Sequence, residues 1–357
     1  MSASGRSEGN LALGVDIGGT KVLGVALDAA GTVVAEARVP TPHRGALDPP
    51  VEGVGEIGTE VTEAVGAVVL RLAETAARPD PVTPLPGFDQ PGPPADGALL
   101  VGIGAPGMVD RHGVLRFAPN LPGAVGADLA RLLGERLPGA EIVVENDANC
   151  AALAEYELGA AAGCDHVLVV TLGTGIGGGL IVDGRIQTGA YGFAGEIGHM
   201  VVDPSGPPCP CGRRGCWERY ASGGGLGRLA REAAYAGRLH EVVALAGGDP
   251  EDVRGEHVTR AALGGDAGAL AVVEELGWWI ALGLANLAAV VDPARIVLGG
   301  GLAEAGEILF RPTRRAFTQL VEGATNRPVI EITAARLGER AGAVGAALAA
   351  RVGGLGR

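Results

Sequence analysis

The sequence predicts an α/β protein built from two related domains. Three observations carry that prediction. Apolar strand-like runs alternate with stretches of helical spacing along most of the 357 residues. Residues 11–31 and 166–184 repeat one plan: apolar strand, polar residue (Asp16 or Thr171), glycine turn, apolar strand, Asp-containing turn. Between the copies, Glu145-Asn146-Asp147-Ala148-Asn149 places a carboxylate where a strand ends and a helix begins, which is where α/β proteins keep their clefts. Two copies of a strand–turn–strand suggest two domains, each presenting a glycine turn to a cleft.

The elements follow in order. Residues 1–10 are small and polar and read as a disordered tail. Residues 11–16, 21–28 and 32–40 read as strands, a meander opened by the tight turn 17–20. Val54, Ile57, Val61, Val65, Val68, Val69 and Leu72 give residues 52–77 helical spacing. The prolines from Pro79 to Pro94 exclude helix and central strand from residues 78–97, which read as an exposed loop. A buried strand is expected over 98–104, a helix over 127–137, a strand over 140–144 and a helix over 150–159. Residues 166–171 and 180–182 read as strands flanking the turn 172–179, with a hairpin turn at Asp183-Gly184. Residues 186–220 look irregular and 222–290 mostly helical; strands are expected at 295–298 and 329–334 and a closing helix at 342–352.

Composition narrows the classes. A net charge of −13 argues against a nucleic-acid surface, since phosphate contacts need clustered Lys and Arg. Lys21 is the only lysine; all other members of the 28 Lys and Arg are arginines, a pattern of GC-rich coding rather than of function. No signal-peptide pattern opens the chain, so a cytoplasmic protein is expected. The run Leu276–Val291 is apolar but shorter than the roughly 20 residues of a membrane span. Glu274 and Glu275 precede it and Asn286 interrupts it, so a buried core helix is the expectation.

The two glycine turns, Asp16-Ile17-Gly18-Gly19-Thr20 and Leu172-Gly173-Thr174-Gly175-Ile176-Gly177-Gly178-Gly179, share a physical logic. Glycine lets a backbone approach a ligand closely and reach positive φ, so successive N–H groups can converge on a phosphate. Neither turn is a P-loop or a Rossmann fingerprint, because a strand rather than a helix follows each. Each alone is also consistent with a structural hairpin turn. Together, and with Gly299-Gly300-Gly301 ending a third strand, they point to phosphate binding. Asp16 is a candidate for holding Mg²⁺, in part through water, or for capping the turn. Lys21 is a candidate phosphate contact or a solvated strand residue.

Downstream, Gly195-Glu196-Ile197-Gly198-His199 precedes Cys209-Pro210-Cys211-Gly212-Arg213-Arg214-Gly215-Cys216-Trp217-Glu218. In a cytosolic chain such clustering points to metal before disulfide. His199, Cys209, Cys211 and Cys216 make the Cys₃His donor set of a closed structural zinc site. Cys150 and Cys164 lie outside it and are expected to be buried small residues. Glu196 and Glu218 are either solvated charges or carboxylates suited to sugar hydroxyls.

In this order, these five motifs resemble those of ROK-family sugar kinases, over about residues 11–350. The resemblance implies the actin-like ATPase (hexokinase-type) fold: two ribonuclease-H-like domains flanking a cleft, with a zinc-clipped loop. It implies an N-terminal domain of residues 11–145, rejoined by the C-terminal helix 342–357. The C-terminal domain would span 146–341 and carry the zinc module 196–218. The implied reaction is ATP-dependent phosphorylation of the 6-hydroxyl of glucose, with ATP, Mg²⁺ and structural Zn²⁺ as cofactors. Asp147 matches the family's general base. Asn146, Glu196, His199, Glu218 and, in Ala118-Pro119-Asn120, Asn120 match hexose-binding positions. Gly18, Gly19, Thr20, Gly173, Thr174 and Gly175 match the phosphate loops, and Gly299, Gly300 and Gly301 the nucleotide side of the second domain. Other hexoses (fructose, N-acetylmannosamine, N-acetylglucosamine) and polyphosphate as donor stay open, although polyphosphate-using relatives generally lack the Cys-rich module. ROK repressors carry a helix-turn-helix ahead of the first motif, for which the ten residues before Leu11 leave no room. A non-catalytic sugar sensor is disfavoured by the intact Asp147. No nucleic-acid or membrane partner is expected, and assembly as a homo-oligomer, dimer or tetramer, is.

Overall fold

The computed structural model describes residues 11–42, 56–76, 99–119, 121 and 124–355. The N-terminal tail and the proline-rich loop of the sequence reading lie outside them. Two compact units emerge: residues 1–162, 185–195 and 339–357 in one, residues 163–184 and 196–338 in the other.

In the first unit, β1 (Ala12–Ile17), β2 (Lys21–Leu27) and β3 (Val33–Pro40) form an antiparallel meander. Helix α1 (Glu56–Ala76) buries Val61, Val65, Val68, Val69 and Leu72, the apolar stripe read from the sequence. Then follow β4 (Leu100–Ala105), the short hairpin β5 (Met108–Val109) and β6 (Leu115–Phe117), α2 (Leu129–Gly134), β7 (Glu141–Asn146) and α3 (Asp147–Leu158). The sheet order is β3-β2-β1-β4-β7, with β4 and β7 parallel to β1. The β5–β6 hairpin is too short to show a period in the sequence. Helix α2 is shorter than the expected 127–137, because Asp128 caps it by accepting from Arg131 N–H at 2.9 Å.

The second unit repeats the plan. Strands β8 (Val167–Leu172) and β9 (Ile176–Val182) make the second glycine-turn hairpin; after the turn Asp183-Gly184 the chain returns to residues of the first unit with β10 (Arg185–Ile186). Helices α4 (Glu218–Ala221), α5 (Gly223–Tyr235), α6 (His240–Leu245), α7 (Gly255–Leu263) and α8 (Ala267–Val291) lead to β11 (Arg295–Gly299), α9 (Glu307–Leu320) and β12 (Glu331–Ala334). Strand β11 is parallel to β8 and β12 to β11, giving the order β9-β8-β11-β12. Helix α8 extends beyond the expected run at its N-terminal end, and its 25 residues are long and apolar enough to cross a membrane. Length therefore does not settle its place; packing does. Val272, Val273, Leu276, Ile280, Ala281 and Leu284 are buried in the core of this unit. Gly283 leaves room for the Trp217 ring, 2.0 Å from where a Cβ would stand.

Helix α10 (Ala341–Val352) belongs to the first unit. Its buried face is Gly and Ala apart from Val344, and this sets how closely it packs. A Cβ on Gly102 of β4 would lie 1.8 Å from the Ala346 carbonyl oxygen, and one on Gly345 would lie 1.7 Å from that of Cys150 in α3. The helix thus lies backbone against backbone on both elements, where any side chain would force them apart. The boundary between units falls at Ala162/Gly163 rather than at the expected 145/146, because α3 packs along α10.

Candidate active site

In the first unit, parallel register aligns the C-terminal ends of three strands. Asp16 of β1 stands opposite Gly104 of β4, and Gly104 opposite Glu145 of β7. A Cβ on Gly104 would lie 3.4 Å from Asp16 Oδ1 and 3.5 Å from Asp147 Cα, ordinary contact distances, so Gly104 stands between the two residues. Gly342 at the start of α10 provides the other wall: its Cβ would lie 2.6 Å from the Asp16 carboxyl carbon. Sequence reading missed both glycines, since their only signal is the absence of a side chain beside a residue 88 or more positions away.

Asp147 opens α3, but the cap is Asn146, whose Oδ1 accepts from Asn149 N–H at 3.0 Å. The Asn146 amide also donates to the Gly107 carbonyl at 3.0 Å. Asp147 Oδ1 accepts from Ala148 N–H at 2.8 Å. Each carboxylate keeps a small opening to solvent and is otherwise enclosed. Burial, then the charge of Asp147, pushes Asp16 up to about 8, with Lys21 opposing. Burial pushes Asp147 up to about 6 against the hydrogen bonds it accepts. A helix N-terminus favours an ionised carboxylate, yet at Asp147 burial is the largest influence and its direction is upward. Cys150, beneath the pair, is raised well above an ordinary thiol by burial and is a packing group.

Gly18, Gly19 and Thr20 make the β1–β2 turn, closed by Gly18 N–H to the Lys21 carbonyl at 2.9 Å. Buried Thr41 pins it, its Oγ1 donating to the Gly18 carbonyl at 2.7 Å and its N–H to that of Thr20 at 3.1 Å. Lys21 is partly exposed and paired with Glu339, which also meets Arg38 at 3.1 Å. Asn120 lies outside the described residues.

The raised Asp16 has a stability consequence. Its folded-state pKa exceeds its unfolded one, so folding is penalised as pH rises from about 4 to about 8. At pH 7.5 that penalty is on the order of a few kcal/mol. Asp16→Asn, a neutral shape-mimic, is expected to raise the melting temperature of ligand-free, magnesium-free protein by about 5 °C at pH 7.5 and hardly at all at pH 4.5. Equal melting temperatures at both pH values would refute the burial argument.

In the second unit, the turn Gly173-Thr174-Gly175 joins β8 to β9, and Gly299 pairs with Thr171 beside it. None of Gly18, Gly19, Gly173 and Gly175 has positive φ. A Cβ would be crowded at Gly18, 2.9 Å from the Lys21 carbonyl oxygen, and at Gly175, but would meet nothing within 4 Å at Gly19 or Gly173. Gly300 has positive φ, at 80°. Its Cβ would lie 2.5 Å from the Leu172 carbonyl oxygen, which presses the Gly299–Gly301 stretch against the second turn.

The Cys–His donors come together. The ligating atoms of His199, Cys209, Cys211 and Cys216 all lie within 4.8 Å of one another. Cys209 Sγ is 3.7 Å from His199 Nδ1 and Cys211 Sγ is 3.5 Å from Cys216 Sγ. Tetrahedral zinc–thiolate geometry puts ligands about 3.8 Å apart, so the set fits one ion. Gly212 and Gly215, at φ 88° and 68°, turn the chain tightly enough to gather it. Burial pushes Cys216 up to about 12 and raises Cys209; burial also opposes the Cys211 thiolate, yet Arg213 and the neighbouring thiols hold Cys211 below the usual range. His199 Nε2 faces Glu196 at 3.9 Å. Glu218 reaches both parts: one oxygen is 3.8 Å from Cys209 Sγ and the other accepts from Ile176 N–H at 3.1 Å. Cys164 is only half-buried, its thiol 3.6 Å from the His166 carbonyl, against the expected full burial.

The model of the ROK family matches residues 93–352. The chain belongs to the ROK family. It is 36% identical over 344 residues to a glucokinase of Streptomyces coelicolor, covering 96% of this chain and 98% of that one. It is 39% identical over 260 residues to a glucokinase of Thermotoga maritima, covering 72% and 81%. The crystal structure of a ROK glucokinase from Streptomyces griseus in complex with glucose and AMPPNP matches with a TM-score of 0.78 at 37% identity, covering 96% of this chain and 100% of that one. The repeated hairpins and the Cys₃His clip described above are thus set in a ROK sugar kinase fold.

Proposed function

We propose that this ROK protein is a glucokinase: it transfers the γ-phosphoryl group of ATP to the 6-hydroxyl of glucose. The observation that carries the reading is Asp147, a carboxylate set at the start of α3 with Asp16 beside it and burial raising its pKa toward neutrality. A base poised near the working pH can take the proton of an attacking hydroxyl. The glucokinase relatives, and the glucose and AMPPNP bound in one of them, support the choice of substrates.

Asp147 accepts the sugar hydroxyl proton while Asn146, Glu196, His199 and Glu218 hold the other hydroxyls. The Gly18–Thr20 and Gly173–Gly175 turns, with Gly299–Gly301, receive the nucleotide, and Lys21 contributes charge near Asp16. Asp16 would hold Mg²⁺, which when bound supplies charge neutralisation for the phosphates. The chemistry of the donors fits: the charge of Asp147 raises the proton affinity of the enclosed Asp16, and a cation reverses that. Cys209, Cys211, Cys216 and His199 Nδ1 would hold structural Zn²⁺, leaving His199 Nε2 and Glu196 as one polar face.

An assay that quantifies the phosphorylated sugar formed from glucose, mannose, fructose and the N-acetylhexosamines, with ATP or polyphosphate as donor, tests the reading. Glucose with ATP is expected to give a kcat/KM at least tenfold above any other pair. A hexosamine or polyphosphate pair at the top would replace the substrate assignment.

A further inference from the structure

The turn assigned above to the nucleotide is clasped by the segment that follows the last cysteine. Ile176 N–H, at the close of the turn, donates to Glu218 Oε2 at 3.1 Å. Gly223 N–H donates to the Gly173 carbonyl at 2.8 Å. Gly175 sits at the contact: a Cβ there would lie 2.2 Å from Glu218 Oε2, so the missing side chain is what admits the carboxylate. Glu218 is fixed in turn. It opens α4 directly after Trp217, which is fully buried and donates its indole N–H to the Trp279 carbonyl at 2.7 Å.

We propose that Glu218 is a positioning residue for the Gly173–Gly175 turn, and that through it sugar occupancy sets nucleotide affinity. The inference rests on the proposed kinase function and adds a coupling to it. A carboxylate accepting from Ile176 N–H holds the turn in one conformation by a charge-assisted hydrogen bond. Without that tie, phosphate binding must also order the turn, and affinity falls. A sugar hydroxyl donating to the same carboxylate fixes its rotamer and so favours the ordered turn. The coupling is reciprocal: nucleotide tightens sugar by the same factor.

Isothermal titration of the full-length chain with AMPPNP in the absence of sugar tests this. Glu218→Ala is expected to weaken AMPPNP about tenfold, the scale of one hydrogen bond to a charged group. Glu218→Gln keeps an acceptor for Ile176 N–H and is expected to stay within about threefold of wild type, while its sugar KM rises. Gly175→Ala is expected to weaken AMPPNP about tenfold in the wild-type background but less than about threefold on top of Glu218→Ala, because the clash is gone. Additive losses in that cycle, or a Gln variant as weak as the Ala variant, overturn the inference. Should Gly175→Ala melt early only when Glu218 is present, the steric contact is supported; should it melt early in both backgrounds, the Gln–Ala contrast decides. A wild-type chain that binds no AMPPNP even with saturating glucose present overturns the kinase reading and this inference with it.

Discussion

Asp147→Asn is expected to lower kcat by about 10²–10⁴-fold, the usual contribution of a positioned base. Glucose affinity should stay within about threefold, because Asn keeps the size and one acceptor oxygen. The same assignment fixes the pH profile. The base works ionised, and burial has raised its pKa to about 6. Its ionised fraction falls as pH drops through that value, so kcat/KM, which reports the free enzyme, should lose its alkaline plateau near pH 6. The Asn variant, with nothing to titrate there, should show a flat residual rate. Steady-state kinetics from pH 5 to 9 on both proteins decides the matter: near-normal turnover in Asp147→Asn removes the assignment.

The second large effect concerns the Cys–His clip. Native protein is expected to hold about one equivalent of zinc per chain, and less than about half an equivalent would sink the Cys₃His reading. Cys216→Ser should abolish retention. Cys216 is fully buried, and its backbone bridges to Val201, so its loss loosens the segment carrying His199 and Glu196. Metal binding in small zinc modules contributes on the order of 10 kcal/mol of folding free energy, which in segment 196–217 adds to backbone bonds such as Val202 N–H to the Gly215 carbonyl at 2.9 Å. We expect sugar KM to rise at least tenfold and the melting curve to split, the second unit unfolding first. Metal analysis and scanning calorimetry of the variant read both. A Cys216→Ser protein with unchanged zinc and sugar KM would reduce the cluster to a set of packed thiols.

The duplicated hairpins were legible because periodicity and glycine turns are local. Residues 11–28 and 166–182 carry their own strand signal, and glycine runs mark the turns within them. The Cys₃His set was legible because its spacing falls within 18 residues. The boundary at Ala162/Gly163 was not, since it depends on α3 and α10 meeting across nearly two hundred residues through glycine and alanine, which carry no hydrophobic pattern. Helix α8 is a mixed case. Its apolar character was plain, but only its packing against Trp217 and the core of its unit assigns it a place.

The sequence by itself determined which residues are available for chemistry: Asp16, Asp147, the glycine turns, Glu196, Glu218 and the Cys–His donors, each marked by residue type and spacing. Only the tertiary structure decided how they behave. It gave the cap of α3 to Asn146 rather than to Asp147. It placed Gly104 and Gly342 beside Asp16, and it turned Glu218 from a surface charge into the partner of Ile176 N–H. The reason is that proton affinity and hydrogen-bond partnership depend on enclosure by atoms distant in the chain. Spacing along the chain fixes side-chain chemistry and local turns, whereas desolvation and close approach exist only once the strands and helices have packed.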